Sequence, residues 1–469
     1  MNNKNTLAEK VNVDLNKVKR VFFIGIGGIG MSAIARYFHE SGLIVSGYDK
    51  TETTLTKKLV EEGIKISYVD QIEILDKEAD LIVYTPAIPD DHLGWNWYQK
   101  YLYPIYKRAE VLAMISHHKN SICIAGTHGK TSTSSMVTYL LRECGVDTSA
   151  FIGGIPTDYG TNFLYGESDW VVMEADEYDR SFWQLSPDIA SIASMDADHL
   201  DIYGSHDIMK EGFEGFARKI NENGVLLIKY PLQDQLSNKL KSELAEKKVR
   251  LRSFGIVGGD IQAQRVRVEN GQYAFDYISD KYTIQDITMN MPGQHNVENA
   301  LVAISICLER GCNSYDIRRA MKSFSGIKRR FEIFCQTENV VMIDDYAHHP
   351  TELRMAIDAA KNLYPDKKLT GVFQPHLYSR TQDFQNEFAE VLDGLDECIL
   401  IPIYPARELP IEGVTSKIIY DKMMMEYKYL VDKNKVLDHI KIGQHEVIMI
   451  LGAGDIDVLP VELKTWAES

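Results

Sequence analysis

The chain has 469 residues, 45% hydrophobic and 25% charged, with 67 acidic against 51 basic side chains and a formal net charge of -16. That length exceeds what one hydrophobic core serves, so about three domains are expected, and the acidic excess argues against nucleic-acid binding, which needs clustered Lys and Arg. The six cysteines (123, 144, 307, 312, 335 and 398) show no C-x-x-C spacing and several sit in apolar runs, as reduced thiols of a cytoplasmic protein do. Met1 to Lys19 is polar and no run of 18 apolar residues occurs, so neither export nor a membrane partner is expected.

In chain order, an apolar run from Val18 to Ile24 meets Gly25-Ile26-Gly27-Gly28-Ile29-Gly30, followed by a helical pattern from Met31 to Glu40. A second strand, Leu43 to Tyr48, ends in Asp49. Strand, G-x-G-x-x-G and helix make a diphosphate cradle, with Gly27, Gly28 and Gly30 allowing close approach and the acid reaching a ribose hydroxyl. NAD and a UDP-sugar both supply such a diphosphate, and a ligand-free packing turn has the same form. The strand Leu81 to Tyr84 carries Thr85-Pro86-Ala87-Ile88-Pro89 at its carboxyl end, where open α/β sheets place ligands.

The second domain opens with Ser121 to Ala125 and the loop Gly126-Thr127-His128-Gly129-Lys130-Thr131, ahead of the helical run Thr133 to Leu141. Its N–H groups converge on phosphate oxygens, Lys130 neutralises phosphate and the Thr131 hydroxyl can ligate Mg²⁺, so a nucleoside triphosphate is the expected ligand. The loop is a shortened phosphate-binding variant, with Ile124 where the longer pattern has its first glycine; a helix-capping turn with a solvated lysine is the plainer alternative. Asp169 to Asp201 contains nine acids and one base, Arg180. Glu174 follows the strand Trp170 to Met173 and suits the metal held by Thr131, and Asp196-Ala197-Asp198-His199 after the strand Ile189 to Met195 adds hard ligands and an imidazole for a second ion. An acidic solvated rim is the alternative.

The strand Val225 to Lys229 and shorter alternating segments, Arg250 to Phe254 and Tyr273 to Ile278, lead to a helical pattern from Val297 to Arg310. Asn296 and Asn299 lie one turn apart and suit a base edge, or Asn296 is a plain helix cap. Arg329-Arg330, in the basic hinge, can clamp a phosphate or be an ordinary basic linker. The third domain has strands Val340 to Ile343, Leu369 to Phe373, Cys398 to Ile403 and Val447 to Leu451. Two of them run into polar chemistry, Asp344-Asp345-Tyr346-Ala347-His348-His349-Pro350 and Gln374-Pro375-His376-Leu377-Tyr378-Ser379-Arg380. The fold class is α/β: three consecutive doubly wound domains, Rossmann-like or P-loop-like, over residues 1–117, 118–327 and 328–469.

The loop at 126–131, Glu174-Ala175-Asp176-Glu177, Asp198-His199-Leu200-Asp201, His295-Asn296 with Asn299, Arg329-Arg330-Phe331 and Asp345 to Pro350 together resemble the ATP-dependent ligases that build the peptidoglycan peptide stem. The order and approximate spacing match over essentially the whole chain. Gly25 to Gly30 with Met31-Ser32, and Gln374 to Arg380, most resemble the members that attach the first amino acid, which implies UDP-N-acetylmuramate, L-alanine and ATP as small-molecule substrates with Mg²⁺. The resemblance implies that Gly27, Gly28, Gly30, Ser32, Asp49 and Thr85 hold the UDP-sugar. It gives ATP to Gly126, Thr127, His128, Gly129, Lys130, Thr131, Asn296, Asn299, Arg330 and Asp345, and metal to Thr131, Glu174 and His199. Tyr346 and Arg380 are implied for the amino acid, and Lys130, His199 and His348 for catalysis. Leu377 stands where relatives often carry Arg and Ala347 where they carry Gly, leaving Arg380 as the anionic anchor. A nicotinamide-dependent oxidoreductase, a nucleotide switch, a tripeptide-recycling sister ligase and the folate polyglutamate ligases remain as alternative readings.

Overall fold

The computed structural model describes residues 13–85, 88–196, 206–406 and 408–468. Each of its three α/β domains is built on mainly parallel strands. The first contains β1 (Arg20–Ile24), α1 (Ile29–Glu40), β2 (Ile44–Tyr48), β3 (Lys65–Ser67), β4 (Leu81–Tyr84), β5 (Ile105–Lys107) and α2 (Arg108–His118). Its strands lie in the order β3-β2-β1-β4-β5, all parallel. Such a sheet is covered on both faces at its centre, so β1 and β4 are almost continuously apolar. In β1, Val21 and Phe23 enter one core while Phe22 and Ile24 enter the other.

The second domain begins with β6 (Asn120–Ala125), α3 (Lys130–Glu143), β7 (Ser149–Phe151), β8 (Phe163–Leu164), β9 (Trp170–Ala175), β10 (Ile189–Ile192), β11 (Val225–Lys229) and β12 (Arg250–Gly255). Strands β12, β11, β10, β6, β9 and β7 run parallel in that order, with β8 antiparallel to β7. The register sets Ile124 beside Glu174, so the glycine turn after β6 and the acidic end of β9 share one edge.

Further along, β13 (Ile261–Glu269), β14 (Gln272–Ile278) and β15 (Thr283–Met289) form an antiparallel meander, followed by α4 (Gln294–Glu309). The third domain has β16 (Glu332–Gln336), β17 (Val341–Asp345), α5 (Pro350–Leu363), β18 (Leu369–Phe373), α6 (Tyr378–Asp383), β19 (Glu397–Leu400), β20 (Lys428–Leu430) and β21 (Val447–Leu451). Its sheet order is β16-β17-β21-β18-β19-β20, with β16 antiparallel. By packing, the chain divides into two compact units: Met1–Ile155, Gly160–Phe254 and Ile306–Cys312 in one, Pro156–Tyr159, Gly255–Ser305 and Asn313–Ser469 in the other. Among the described residues no helix is long and apolar enough to cross a membrane.

Several elements differ from the sequence expectations. The nucleotide-loop helix starts at Lys130, three residues earlier than its apolar pattern, because Gly129 in the left-handed region (φ 81°) closes the turn directly onto it. Strand β9 continues through Glu174, whose carboxylate is satisfied by local donors. Strands β10 and β19 stop at Ile192 and Leu400, short of the apolar runs that contain them.

Candidate functional site

In the first unit, the Gly25–Gly30 turn joins β1 to α1. Asp49, just beyond β2, accepts the Gly27 N–H at 2.6 Å and, through its other oxygen, the Thr51 N–H at 3.1 Å. The acid expected to meet a ribose therefore fixes the glycine loop in this structure. Ser32 is buried in the first turn of α1 and donates its hydroxyl to the Ile29 carbonyl at 2.9 Å. Thr85, after β4, donates its N–H to Ile24 and lies against Gly25. The loop, Asp49 and Thr85 thus gather at the carboxyl edge of one sheet.

The second glycine turn is stitched to the segment after β10. Thr127 donates its hydroxyl to Ser194 Oγ at 3.0 Å, and the His128 N–H reaches the same oxygen at 2.8 Å. The His128 ring is buried, with Nε2 3.5 Å from Asp196 Oδ2. Lys130 Nζ donates to the Gly126 carbonyl at 2.7 Å and sits 2.8 and 2.7 Å from the two oxygens of Glu177, a buried carboxylate. Burial opposes the Lys130 charge, but Glu177, with Asp176 and Glu174, outweighs it and holds the ammonium above the ordinary lysine range.

Glu174 meets the other side of the loop. It accepts the Thr131 hydroxyl at 3.3 Å, the Ser134 hydroxyl at 3.0 Å and the Gly153 N–H at 2.6 Å. Burial pushes its carboxyl up from the usual range, opposed by those donors and by Lys130. A hydroxyl and a carboxylate within hydrogen-bond distance are hard oxygen donors of the kind Mg²⁺ takes, so the pair fits that ion. His199 lies outside the described residues. A cavity of about 360 Å³ is lined by Gly30 and Arg108 of the first domain and by Lys130, Phe151, Glu174 and Asp176 of the second. Residues assigned to the diphosphate loop and to the nucleotide loop thus line one space.

In the second unit, the two amides at the start of α4 are buried and joined: Asn296 donates to the Pro292 carbonyl at 2.7 Å and accepts from Asn299 at 3.1 Å. Asn296 is the third residue of its helix and therefore not its cap. At the carboxyl end of β17, Arg329 pairs with Asp344 at 3.1 Å and donates to the Gly452 carbonyl at 2.7 Å. Asp345 accepts the N–H groups of Phe331 and Ala347, each at 2.7 Å. Burial raises both carboxyls to about 6, despite Arg329 beside Asp344 and Arg330 near Asp345. The guanidiniums of Arg329 and Arg330 stand 5.3 and 5.1 Å from the Tyr346 ring centre. His348 Nδ1 lies 3.0 Å from the Tyr346 carbonyl and 3.1 Å from Glu352, two acceptors that call for a proton on Nδ1. Arg380 is half-buried on α6, entered through Leu377 at φ 69°. Asp345 therefore ends β17, with Tyr346 and His348 just beyond it, and Arg380 follows β18, both strands adjacent to β21 at one sheet edge.

Sequence reading missed Glu177 as the partner of Lys130, Ser194 as the anchor of the loop, Glu352 beside His348 and Arg108 in the cavity. The acidic run and the Arg108 that follows a short strand were visible signals; their partners lie far along the chain.

Residues 20–120 match the model described as Mur ligase family, catalytic domain; residues 124–307 match the Mur ligase middle domain; residues 329–454 match the Mur ligase, glutamate ligase domain. The UDP-N-acetylmuramate–L-alanine ligase of Christiangramia forsetii is 44% identical over 94% of this chain and 96% of its own length. The enzyme of that name from Phocaeicola vulgatus is 44% identical over 95% and 97%. A crystal structure of a UDP-N-acetylmuramate–alanine ligase from Thermotoga maritima superposes with a TM-score of 0.77 at 27% identity, covering 96% of this chain and 99% of that one. A murein peptide ligase from Psychrobacter arcticus shares the fold, with a TM-score of 0.66 at 22% identity over 95% of this chain and 98% of its own. Three consecutive matched domains, with 44% identity to relatives over nearly the whole chain, join the two glycine turns at the carboxyl ends of their strands in one conclusion: the chain belongs to the Mur ligase family.

Proposed function

We propose that this protein is the ATP-dependent ligase that joins L-alanine to the lactyl carboxylate of UDP-N-acetylmuramate, releasing ADP and phosphate, in peptidoglycan precursor synthesis. The relatives at 44% identity carry that name, and the observation that most supports the reading is the cavity lined by both Gly30 and Lys130. In this assignment residues 1–117 hold the UDP-sugar through Gly27, Gly28, Gly30, Ser32, Asp49 and Thr85. Residues 118–327 hold ATP through Gly126 to Thr131, with Asn296 and Asn299 at the adenine, and residues 328–469 add Arg330 and Asp345 for ATP and Tyr346 and Arg380 for the amino acid. The reaction belongs in the cytoplasm, in keeping with six cysteines that form no disulfide.

A carboxylate is a poor electrophile. It gains reactivity by attacking the γ-phosphoryl group, which forms a carboxyl–phosphate bond as ADP leaves; the alanine amine then adds to the acyl carbon and expels phosphate through a tetrahedral intermediate. Both steps bring negative groups together. Lys130, kept protonated by the carboxylates around it, offsets that charge where it develops. Thr131 and Glu174, with His199, are assigned to Mg²⁺, which supplies further charge neutralisation when bound. His348 Nε2 is assigned the proton that the amine gives up, with Glu352 holding the ring.

The test is phosphate release from ATP in the presence of UDP-N-acetylmuramate, with L-alanine, glycine, L-serine or the stem tripeptide as acceptor. Release that depends on L-alanine, with formation of the amide, supports the assignment. Preference for the tripeptide makes the protein a recycling ligase, and nicotinamide reduction with no ATP cleavage removes the ligase reading.

A further inference from the structure

The cavity of about 360 Å³ in the first unit contains two cationic side chains with different surroundings. Lys130 is paired with Glu177 and with the Gly126 carbonyl. The Arg108 side chain is half-buried, and its guanidinium makes no hydrogen bond or ion pair with any described residue. A guanidinium carries five donors in a planar fork, and leaving it partly desolvated without an acceptor is unfavourable. Its position is also specific. The side chain crosses Gly30, where an added Cβ would lie 2.9 Å from Nη1 and 3.0 Å from Cδ. Any larger residue at position 30 would push the guanidinium away from the glycine turn. Arg108 is moreover the first residue of α2, so its charge adds to the positive end of its own helix, an arrangement that an anion offsets.

We propose that Arg108 is a substrate-positioning residue that grips the diphosphate of the sugar nucleotide from the side facing the Gly25–Gly30 turn, an inference that rests on the UDP-sugar assignment above. Gly30 then has two tasks: its N–H belongs to the diphosphate turn, and its missing side chain makes room for the arginine that closes on the same ligand. With the diphosphate held at this wall, the sugar acid extends within the cavity toward Lys130 and Glu174. Arg108 thereby fixes the reach of the reacting carboxylate without touching it.

The experiment is calorimetric titration of the wild type, Arg108→Met and Arg108→Lys with UDP, uridine, UDP-N-acetylmuramate and ATP, alongside steady-state kinetics. Arg108→Met is expected to lose about 20-fold or more in affinity for UDP and for UDP-N-acetylmuramate, as removal of a charge-assisted hydrogen bond does. Its uridine and ATP affinities stay within about twofold of wild type, the latter serving as the check on folding. Arg108→Lys recovers only part of the loss, because an ammonium cannot present the bidentate fork. In kinetics the sugar-nucleotide KM rises while kcat at saturation falls less. Unchanged UDP affinity in Arg108→Met overturns the proposal. So does a variant that keeps UDP affinity but no longer distinguishes UDP-N-acetylmuramate from UDP-N-acetylglucosamine, since the guanidinium then meets the lactyl carboxylate. A wild type that binds UDP through Arg108 but never couples ATP cleavage to ligation removes the proposed function and leaves this inference standing; normal ligation with a silent Arg108→Met does the reverse.

Discussion

The nucleotide turn of the first unit and the strand ends of the second handle buried charge in opposite ways. Around Lys130 a buried carboxylate, Glu177, keeps a cation charged. Around β17 the two arginines do not keep their neighbouring acids in the usual range, and Asp344 and Asp345 rise to about 6. The difference lies in the balance of burial against partners: Lys130 touches both oxygens of Glu177 with Asp176 and Glu174 close by, whereas burial outweighs the Arg329 bond to Asp344 and the two backbone N–H groups that Asp345 accepts. Where burial is the largest contribution, one or two direct hydrogen bonds do not hold an acid in its usual range.

The largest break in that comparison is Lys130→Ala, expected to lower turnover by about 10³-fold or more by removing the cation from the phosphoryl path. UDP-sugar affinity, read by calorimetry, should stay nearly intact; equal loss of both would contradict assignment of the two ligands to separate domains. Glu177→Gln keeps the shape but strands a buried ammonium, which should cost about 3 kcal/mol in chemical denaturation. Saturating MgATP, whose phosphates replace the lost anion, should recover much of it. A variant as stable as wild type would show that Lys130 draws little from its carboxylate.

Asp345 sharpens the other half. A carboxyl whose folded value exceeds its unfolded one favours the folded state when protonated, so its contribution is complete below the ordinary 3.8 and is lost as pH rises through about 6. Between pH 5 and 8 the wild type should lose about 1.4 kcal/mol through this group, and Asp345→Asn should show a flatter slope, whatever its absolute stability. The smallest expected effect is at Asn299: replacing it with Ala should raise the ATP KM about 10-fold and leave UDP binding unchanged. Equal weakening of both ligands would point to general loosening of the fold.

Much of this arrangement is legible in the chain because it is local. β1, β6 and β17 are apolar runs that end in chemically distinctive turns, and three of the expected strands, Leu81 to Tyr84, Leu369 to Phe373 and Val447 to Leu451, form over those residues. The meander β13 to β15 was harder to read, since its alternation is interrupted by register shifts at Gln264/Arg267 and Phe275/Tyr277. β16 has no legible face at all, with Ile333 exposed and a shift beside it. Among site residues, the glycine turns announce themselves within six positions, whereas Lys130 and Glu177 are separated by 47 residues and His128 and Ser194 by 66. Glu177 stands in an acidic run that composition assigns to metal, and only the folded register of β6 with β9 turns that run's last member toward the lysine.

The Lys130–Glu177 pair also bears on inhibitor design. A compound that imitates the adenosine part of ATP but offers no anion to this lysine leaves the pair closed and draws nothing from it, while one that offers an anion must first displace a carboxylate at 2.7 Å. Chemical matter shaped for the adjoining space lined by Phe151, bearing an acid for Arg108, avoids that competition.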